Sequence, residues 1–167
     1  ATITVQDNNN ICPQSALGFI AGSIQTQSGK KVEEVMVMVQ NNQNLGTMTN
    51  VAGDFTINGV QFGENLTLMP SKTDDVLNGV STMDVVAISQ HILGINPITS
   101  PYTLIAADID GSGKVSTIDL IRLRKIILNE EKAFPNETPS WRFIDADFKF
   151  PTGVDPLKVD YPELKSV

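Results

Sequence analysis

The strongest constraint on this chain is a repetition. Val80-Ser81-Thr82-Met83-Asp84 returns as Val115-Ser116-Thr117-Ile118-Asp119, at an offset of 35 residues. The offset persists beyond the motif, matching Val85 with Leu120, Ile88 with Leu123, Ile92 with Ile127 and Leu93 with Leu128. Val85, Ile88 and Ile92 stand at i, i+3 and i+7, which is the stripe of an amphipathic helix. Ser81 or Thr82 can cap the first helix and Gly94 can end it, while Ser116 or Thr117 can cap the second. The second half is therefore expected to hold two helices joined by a Pro-containing segment, Asn96 to Pro101. Each helix is preceded by a loop, so the repeating unit is loop plus helix.

The loop before the second helix carries the chemistry. Counting Asp108 as position 1, side-chain oxygens fall at 1 (Asp108), 3 (Asp110), 5 (Ser112), 9 (Ser116) and 12 (Asp119). Gly113 stands at position 6, where an EF-hand-type loop turns sharply, and Lys114 at position 7 offers its backbone carbonyl. Hard oxygens in this number suit calcium. The difference from an EF-hand is Asp119 in place of a glutamate, a shorter arm that must approach more closely. An Asp/Gly/Ser turn before a capped helix is the plainer alternative. The first copy, aligned through Asp84, offers Thr73, Asp75, the Gly79 carbonyl, Ser81 and Asp84, with Leu77 at position 5 unable to ligate through its side chain. Asp74 can replace Thr73 if that loop is one residue short. Two calcium ions are expected, with the Asp108–Asp119 loop the surer site.

Before about Ser71 the period is two. Val35, Val37 and Val39 fall on one face of a strand and Met36 and Met38 on the other; Phe55 with Ile57 and Leu66 with Leu68 alternate likewise. Turn signals separate the runs: Ser28-Gly29, Asn41-Asn42, Ala52-Gly53-Asp54, Asn58-Gly59 and Gly63-Glu64. Short strands with turns every ten residues or so predict an antiparallel β-sandwich. The fold class expected is thus α+β in two modules, a sandwich followed by the duplicated calcium-loop–helix domain. The expected boundaries are 1–15 as a leader or the end of a preceding domain, 16–71 as the sandwich, 72–150 as the calcium-binding domain and 151–167 as a tail. The opening Ala1-Thr2-Ile3-Thr4-Val5 starts in mid-pattern, and the chain is expected to be a segment of a longer protein.

Charge narrows the partners. Nineteen Asp and Glu against twelve Lys and Arg give a net charge of −7. That leaves no basic footprint for a nucleic-acid backbone, and no apolar run approaches a membrane span. The single cysteine, Cys12, cannot form an internal disulfide, and the single histidine, His91, is read as a helix residue without a catalytic role. The sequence shows no nucleophile elbow, phosphate-binding loop or zinc-type Cys/His spacing, so an enzyme is not expected.

Residues 72 to 130, "DDVLNGVSTMDVVAISQHILGI" and "AADIDGSGKVSTIDLIRLRKIIL", resemble the type I dockerin domain. The following "SWRFIDADFKFP" resembles a continuation of dockerin-like regions in large secreted bacterial surface proteins. The resemblance implies two calcium ions, a cohesin-like partner, an extracellular or cell-surface setting, and partner choice through Thr82/Met83 and Thr117/Ile118. "GSIQTQSGKKVEEVMVMV", "TNVAGDFTINGV" and "LTLMPSK" resemble the carboxypeptidase regulatory-like domain, a transthyretin-like β-sandwich without catalytic residues. A non-catalytic interaction or anchoring module, working as a monomer, is the function implied. A calcium-stiffened stalk is the structural alternative. A unit binding extracellular polysaccharide through Trp141 and Phe143 is the other, although these rings are expected to pack on the helices with Phe148 and Phe150. Asp145 and Asp147 form an Asp-x-Asp pair within reach of a calcium loop only as a minor reading. Asn65-Leu66-Thr67 and Asn136-Glu137-Thr138 match glycosylation acceptors, a tripeptide frequent by chance.

Overall fold

The computed structural model describes residues 2–4, 17–40, 42–63, 65–73 and 76–159. Val5, Cys12, Asp74 and Asp75, about which the sequence raised expectations, lie outside the described residues. The described residues form strands β1 (Thr2–Thr4), β2 (Leu17–Ser23), β3 (Met36–Val39), β4 (Asn42–Met48), β5 (Asp54–Gln61) and β6 (Asn65–Ser71). Helices α1 (Thr82–Ile92), α2 (Pro101–Ala107) and α3 (Thr117–Ile127) follow. The strands up to Lys72 and the short segment Phe143–Ala146 make one compact unit; residues 73–142 and 147–159 make the other.

The strand unit holds two antiparallel sheets, one of order β1-β6-β3-β4 and one of β2-β5. β3 and β6 are the inner strands of the larger sheet, with Val37 of β3 opposite Thr47 of β4 and opposite Pro70 of β6. The alternation of β3 is the one read from the sequence. Val35, Val37 and Val39 are all buried, at most 1% exposed, and Met36 and Met38 are half-buried on the other face. Leu66 and Leu68 of β6 are buried as well. Each such aliphatic side chain contributes on the order of 1.5–3 kcal/mol of transfer free energy.

Asn58-Gly59 reads as a turn in the sequence but is a bulge within β5. Asn58 stands opposite Phe19 and Val60 opposite Gly18, so Gly59 has no partner across the β2–β5 pair. Its φ is +82°, the left-handed region that glycine enters without steric cost. A tight turn and a bulge ask for the same backbone freedom, so the dipeptide alone does not separate them. The skipped residue resets the period: Ile57 and Val60, three apart, are both buried.

Thr49 is buried and holds the bend ahead of β3. Its Oγ1 donates to the Val32 carbonyl at 2.8 Å and accepts the Val35 N–H at 2.9 Å. The bend needs this clamp because Glu34 sits at φ +59°, where a non-glycine residue is strained.

The helical unit contains three helices rather than two. The additional α2 begins where Ser100 caps it by accepting the Thr103 N–H, with Pro101 in its first turn. Proline there gives up an N–H that no helix satisfies, so the residue read as part of a connector is a helix start. Ser81 and Ser116 cap α1 and α3 with the same reciprocal box, their hydroxyls accepting N–H groups of the first turn while Asp84 and Asp119 accept the cap N–H. The ends match too. Ile95 N–H reaches the Gln90 carbonyl and Gly94 N–H the His91 carbonyl; Glu130 reaches Lys125 and Asn129 reaches Ile126. Both are Schellman closures, with Gly94 at φ +68° and Asn129 at φ +62°. The 35-residue offset therefore runs from cap to cap.

The core of this unit is Ile88, Ala107, Ile109, Leu123 and Ile126, with Val80, Val85, Val115, Leu120 and Phe134 packed against it. Ile88 and Leu123 are repeat equivalents. His91 braces the connector, its Nδ1 accepting the Ile98 N–H at 3.0 Å. Among the described residues no helix is long and apolar enough to cross a membrane.

The Thr49 clamp makes a test of the strand unit. Thr49→Val keeps the shape and leaves a buried donor and acceptor unmade, at a cost of about 1–3 kcal/mol. Thermal melts should show a fall of several degrees, about 4–8 °C per kcal/mol for a unit of this size. An unchanged midpoint would show that the hydroxyl contributes nothing.

Candidate metal centre

Residues 108–119 run from the C-terminal end of α2 to the first turn of α3. Asp108 is the C-terminal cap of α2 and Asp119 the third residue of α3, so a helix fixes the carboxylate at each end. Asp119 is fully buried and Asp108 is 5% exposed. With Asp110 they place one carboxylate oxygen each within 4.8 Å of one another. Like charges this close repel unless a proton or a cation intervenes.

Backbone N–H groups organise the cluster. Asp119 Oδ1 accepts from Asp110 N at 3.2 Å, and its Oδ2 accepts from Ser116 N at 2.7 Å and Ser116 Oγ at 3.0 Å. Asp108 Oδ1 accepts from Ser112 N at 2.9 Å and its Oδ2 from Gly113 N at 2.8 Å. Asp110 Oδ1 accepts from Ser112 N at 3.1 Å. The sharp turn is made by Gly113 at φ +79°. Ser112 Oγ lies 3.4 Å from Asp108 Oδ1 and donates to the Lys114 carbonyl at 3.2 Å. The loop thus gathers the Asp108, Asp110, Ser112, Lys114 and Asp119 oxygens named from the sequence. Ser116 is brought there in a different capacity, its hydroxyl engaged as the cap of α3.

Burial pushes the Asp108 carboxyl above the usual aspartate value; the Gly113 and Ser112 N–H groups oppose this, and the Asp119 and Asp110 charges add to it. A divalent cation bound to oxygen relieves that repulsion. Three carboxylates, a hydroxyl and a backbone carbonyl form a hard all-oxygen donor set, so the residues fit calcium. Protons compete for the same oxygens, so acid weakens binding.

The first copy is arranged otherwise. Asp84 accepts from Ser81 N at 2.7 Å and Ser81 Oγ at 3.0 Å, repeating the cap of Asp119. Thr73 is exposed, Gly79 is in the left-handed region, and Asp75 lies outside the described residues. Asp145 and Asp147 are not members of the acidic cluster. Trp141 and Phe143 are half-buried, and Phe148 and Phe150 meet edge to face, with Phe150 also against Tyr102 at the start of α2.

Sequence reasoning missed a clamp on this loop. Asn136 donates its Nδ2 to the Asp110 carbonyl at 2.8 Å, across 26 residues. Asn136 is itself at φ +55°, and Thr138 Oγ1 comes so near Gly111 that an added Cβ there would lie 3.2 Å from it. The tripeptide that matches a glycosylation acceptor by chance lies against the loop, with the Asn136 side-chain nitrogen donating to a carbonyl.

Asn136→Gly keeps the left-handed backbone and removes this bond, and should lower stability by about 1 kcal/mol. Asn136→Ala adds strain of roughly 1 kcal/mol more. Chemical denaturation of both variants measures the difference, and a glycine variant indistinguishable from the parent would dismiss the clamp.

Comparison with known protein families finds a similarity within the second half of the chain. The dockerin type I domain matches residues 78–128, under a third of the 167-residue chain. The match spans α1, α2, the whole 108–119 loop and α3, and starts within the first loop, after Leu77. No curated protein and no solved structure matches the chain. The region from Asn78 to Leu128 is similar to the dockerin type I domain, a non-catalytic, calcium-binding module of protein–protein interaction.

Proposed function

We propose that this chain is a calcium-dependent interaction module of dockerin type that docks a cohesin-like domain outside the bacterial cell, as part of a larger secreted or surface protein. The observation that carries the reading is the convergence of Asp108, Asp110 and Asp119 within the region similar to dockerin. Calcium on the Asp108–Asp119 loop holds α3 at a fixed angle to α2. Extracellular calcium, near millimolar, fills loops of this kind even when their affinity is modest.

A second observation favours partner docking over a stalk. Met83 and Val86 of α1, and Ile118 and Ile121 of α3, are 69%, 45%, 51% and 53% exposed. They are repeat equivalents, and Met83 and Ile118 are at the positions that the dockerin resemblance ties to partner choice. Leu93 and Leu128, also equivalent, are 67% exposed each. Apolar side chains left in water on two duplicated faces are what a protein partner covers. Residues 16–71 are proposed as a carboxypeptidase regulatory-like sandwich accompanying the module. The supporting feature is the pair of antiparallel sheets, each with buried aliphatic residues.

The test is capture of purified cohesin domains from the parent organism by the immobilised chain, in calcium and in chelator. Binding in calcium alone is expected. A double change, Val86→Glu with Ile121→Glu, should weaken capture tenfold or more while calcium uptake is unchanged. No capture, or capture indifferent to chelator, would sink the reading; binding to glycans instead would favour a carbohydrate module.

A further inference from the structure

The methionines of this chain are gathered rather than scattered, and the geometry points to a thioether site for a soft monovalent cation, copper(I) or silver(I), on the larger sheet. The site belongs to the strand unit and is independent of the calcium reading of the Asp108–Asp119 loop.

The chain has five methionines. Four of them, Met36, Met38, Met48 and Met69, stand on one face of the β1-β6-β3-β4 sheet. The register places them. Met36 of β3 is opposite Met48 of β4, and Met38 of β3 is opposite Met69 of β6. Residues opposite one another in antiparallel strands have Cβ atoms about 4.5–5.5 Å apart. The two-residue step from Met36 to Met38 spans roughly 6.5–7 Å. Val37 and Val39 alternate with these methionines and are buried, so the sulfur-bearing face is the one turned away from that core.

Gly46 selects which of the four converge. It is opposite Met38 on β4 and two residues from Met48, hence on the same face. Having no side chain, it leaves open the corner bounded by Met36, Met38 and Met48. Met38 leans into that corner: a Cβ added to Gly46 would lie 3.1 Å from the Met38 Cγ. The Met38 side chain is thus carried toward the strand that bears Met48, and Met69 borders the group from β6. Met48 is 52% exposed while Met36 and Met38 are half-buried, so the group opens to solvent on its β4 side.

The donor set fixes the class of ion. Thioether sulfur is a soft, neutral ligand that suits copper(I) and offers nothing to calcium or magnesium, which take oxygen. The neighbouring strand positions on this face are Gly46, Thr67 and Ser71, none of which brings a carboxylate, an imidazole or an amine. Methionine is unbranched and flexible, so the sulfurs can close on an ion while the strands stay in place. Packing alone does not call for sulfur here. The inward face of the same strands is built from Val37, Val39, Leu66 and Leu68.

Silver(I) in chloride-free buffer is the probe, titrated into the full chain with calcium present. Cys12→Ser is carried throughout, so that the one thiol does not compete for the ion. Met36→Leu, Met38→Leu and Met48→Leu together conserve volume and remove only the sulfurs. Native mass spectrometry should show one silver ion fewer per chain in that variant. The methionine methyl resonances of the chain that keeps its methionines give a second reading. Those of Met36, Met38 and Met48 should shift together on adding one equivalent of silver. Met83, exposed on α1, is the internal control and should not move. A silver count unchanged by the three leucines, a Met83 methyl that shifts as far as the others, or no methyl response would overturn the site and leave an apolar sheet face.

Discussion

The Asp119 carboxylate is the point on which the helical unit turns. It is fully buried, and a buried charge is tolerated only where hydrogen bonds or counter-charge replace water. Here it takes the Asp110 N–H, the Ser116 N–H and the Ser116 hydroxyl. Those bonds start α3, close the loop across its width and bring the ends of the loop together in one stroke. The following turns of the same helix deliver Leu123 and Ile126 to the core. Loop geometry and core packing are therefore set by one residue, and a cation placed between Asp119, Asp108 and Asp110 acts on both.

The duplicated sequence keeps its two helices more alike than the described parts of its two loops. The helices keep identical caps, equivalent core positions such as Ile88 and Leu123, and the same exposed apolar positions. What differs is confined to the loops. Among the described residues, one packs half-buried Val76 and Leu77 against the core, and the other gathers three carboxylates.

Much of this was legible in the residues, and the failures have physical causes. The β3 alternation, the caps of α1 and α3, and the Asp108-Asp110-Asp119 set are local patterns whose spacing equals the period or loop they build. Asn58-Gly59 was read as a turn because a bulge and a turn make the same demand on glycine. α2 was read as a connector because it is short, seven residues, and its start signal, Ser100-Pro101, looks like a break when the helix behind it is not anticipated. The Asn136 clamp was out of reach altogether. Its partner is a backbone carbonyl far away in sequence, which leaves no trace in composition or spacing. A first loop one residue short was one alternative the sequence left open, and the left-handed Gly79, one residue nearer its helix than Gly113, is what the structure adds.

The self-contained helix ends have one more consequence. α1 and α3 each carry their own start box and their own left-handed stop, Gly94 or Asn129, so neither borrows a backbone partner from the chain beyond it. The order in which the two are threaded is then close to immaterial to their formation. Within the intervening stretch the Ile95 and Asn96 N–H groups reach the Gln90 carbonyl of α1, and the Ile98 N–H is held by His91. A chain reopened at Asn96 and rejoined elsewhere would keep both helices intact, which makes this connector a natural place to graft, lengthen or permute the module.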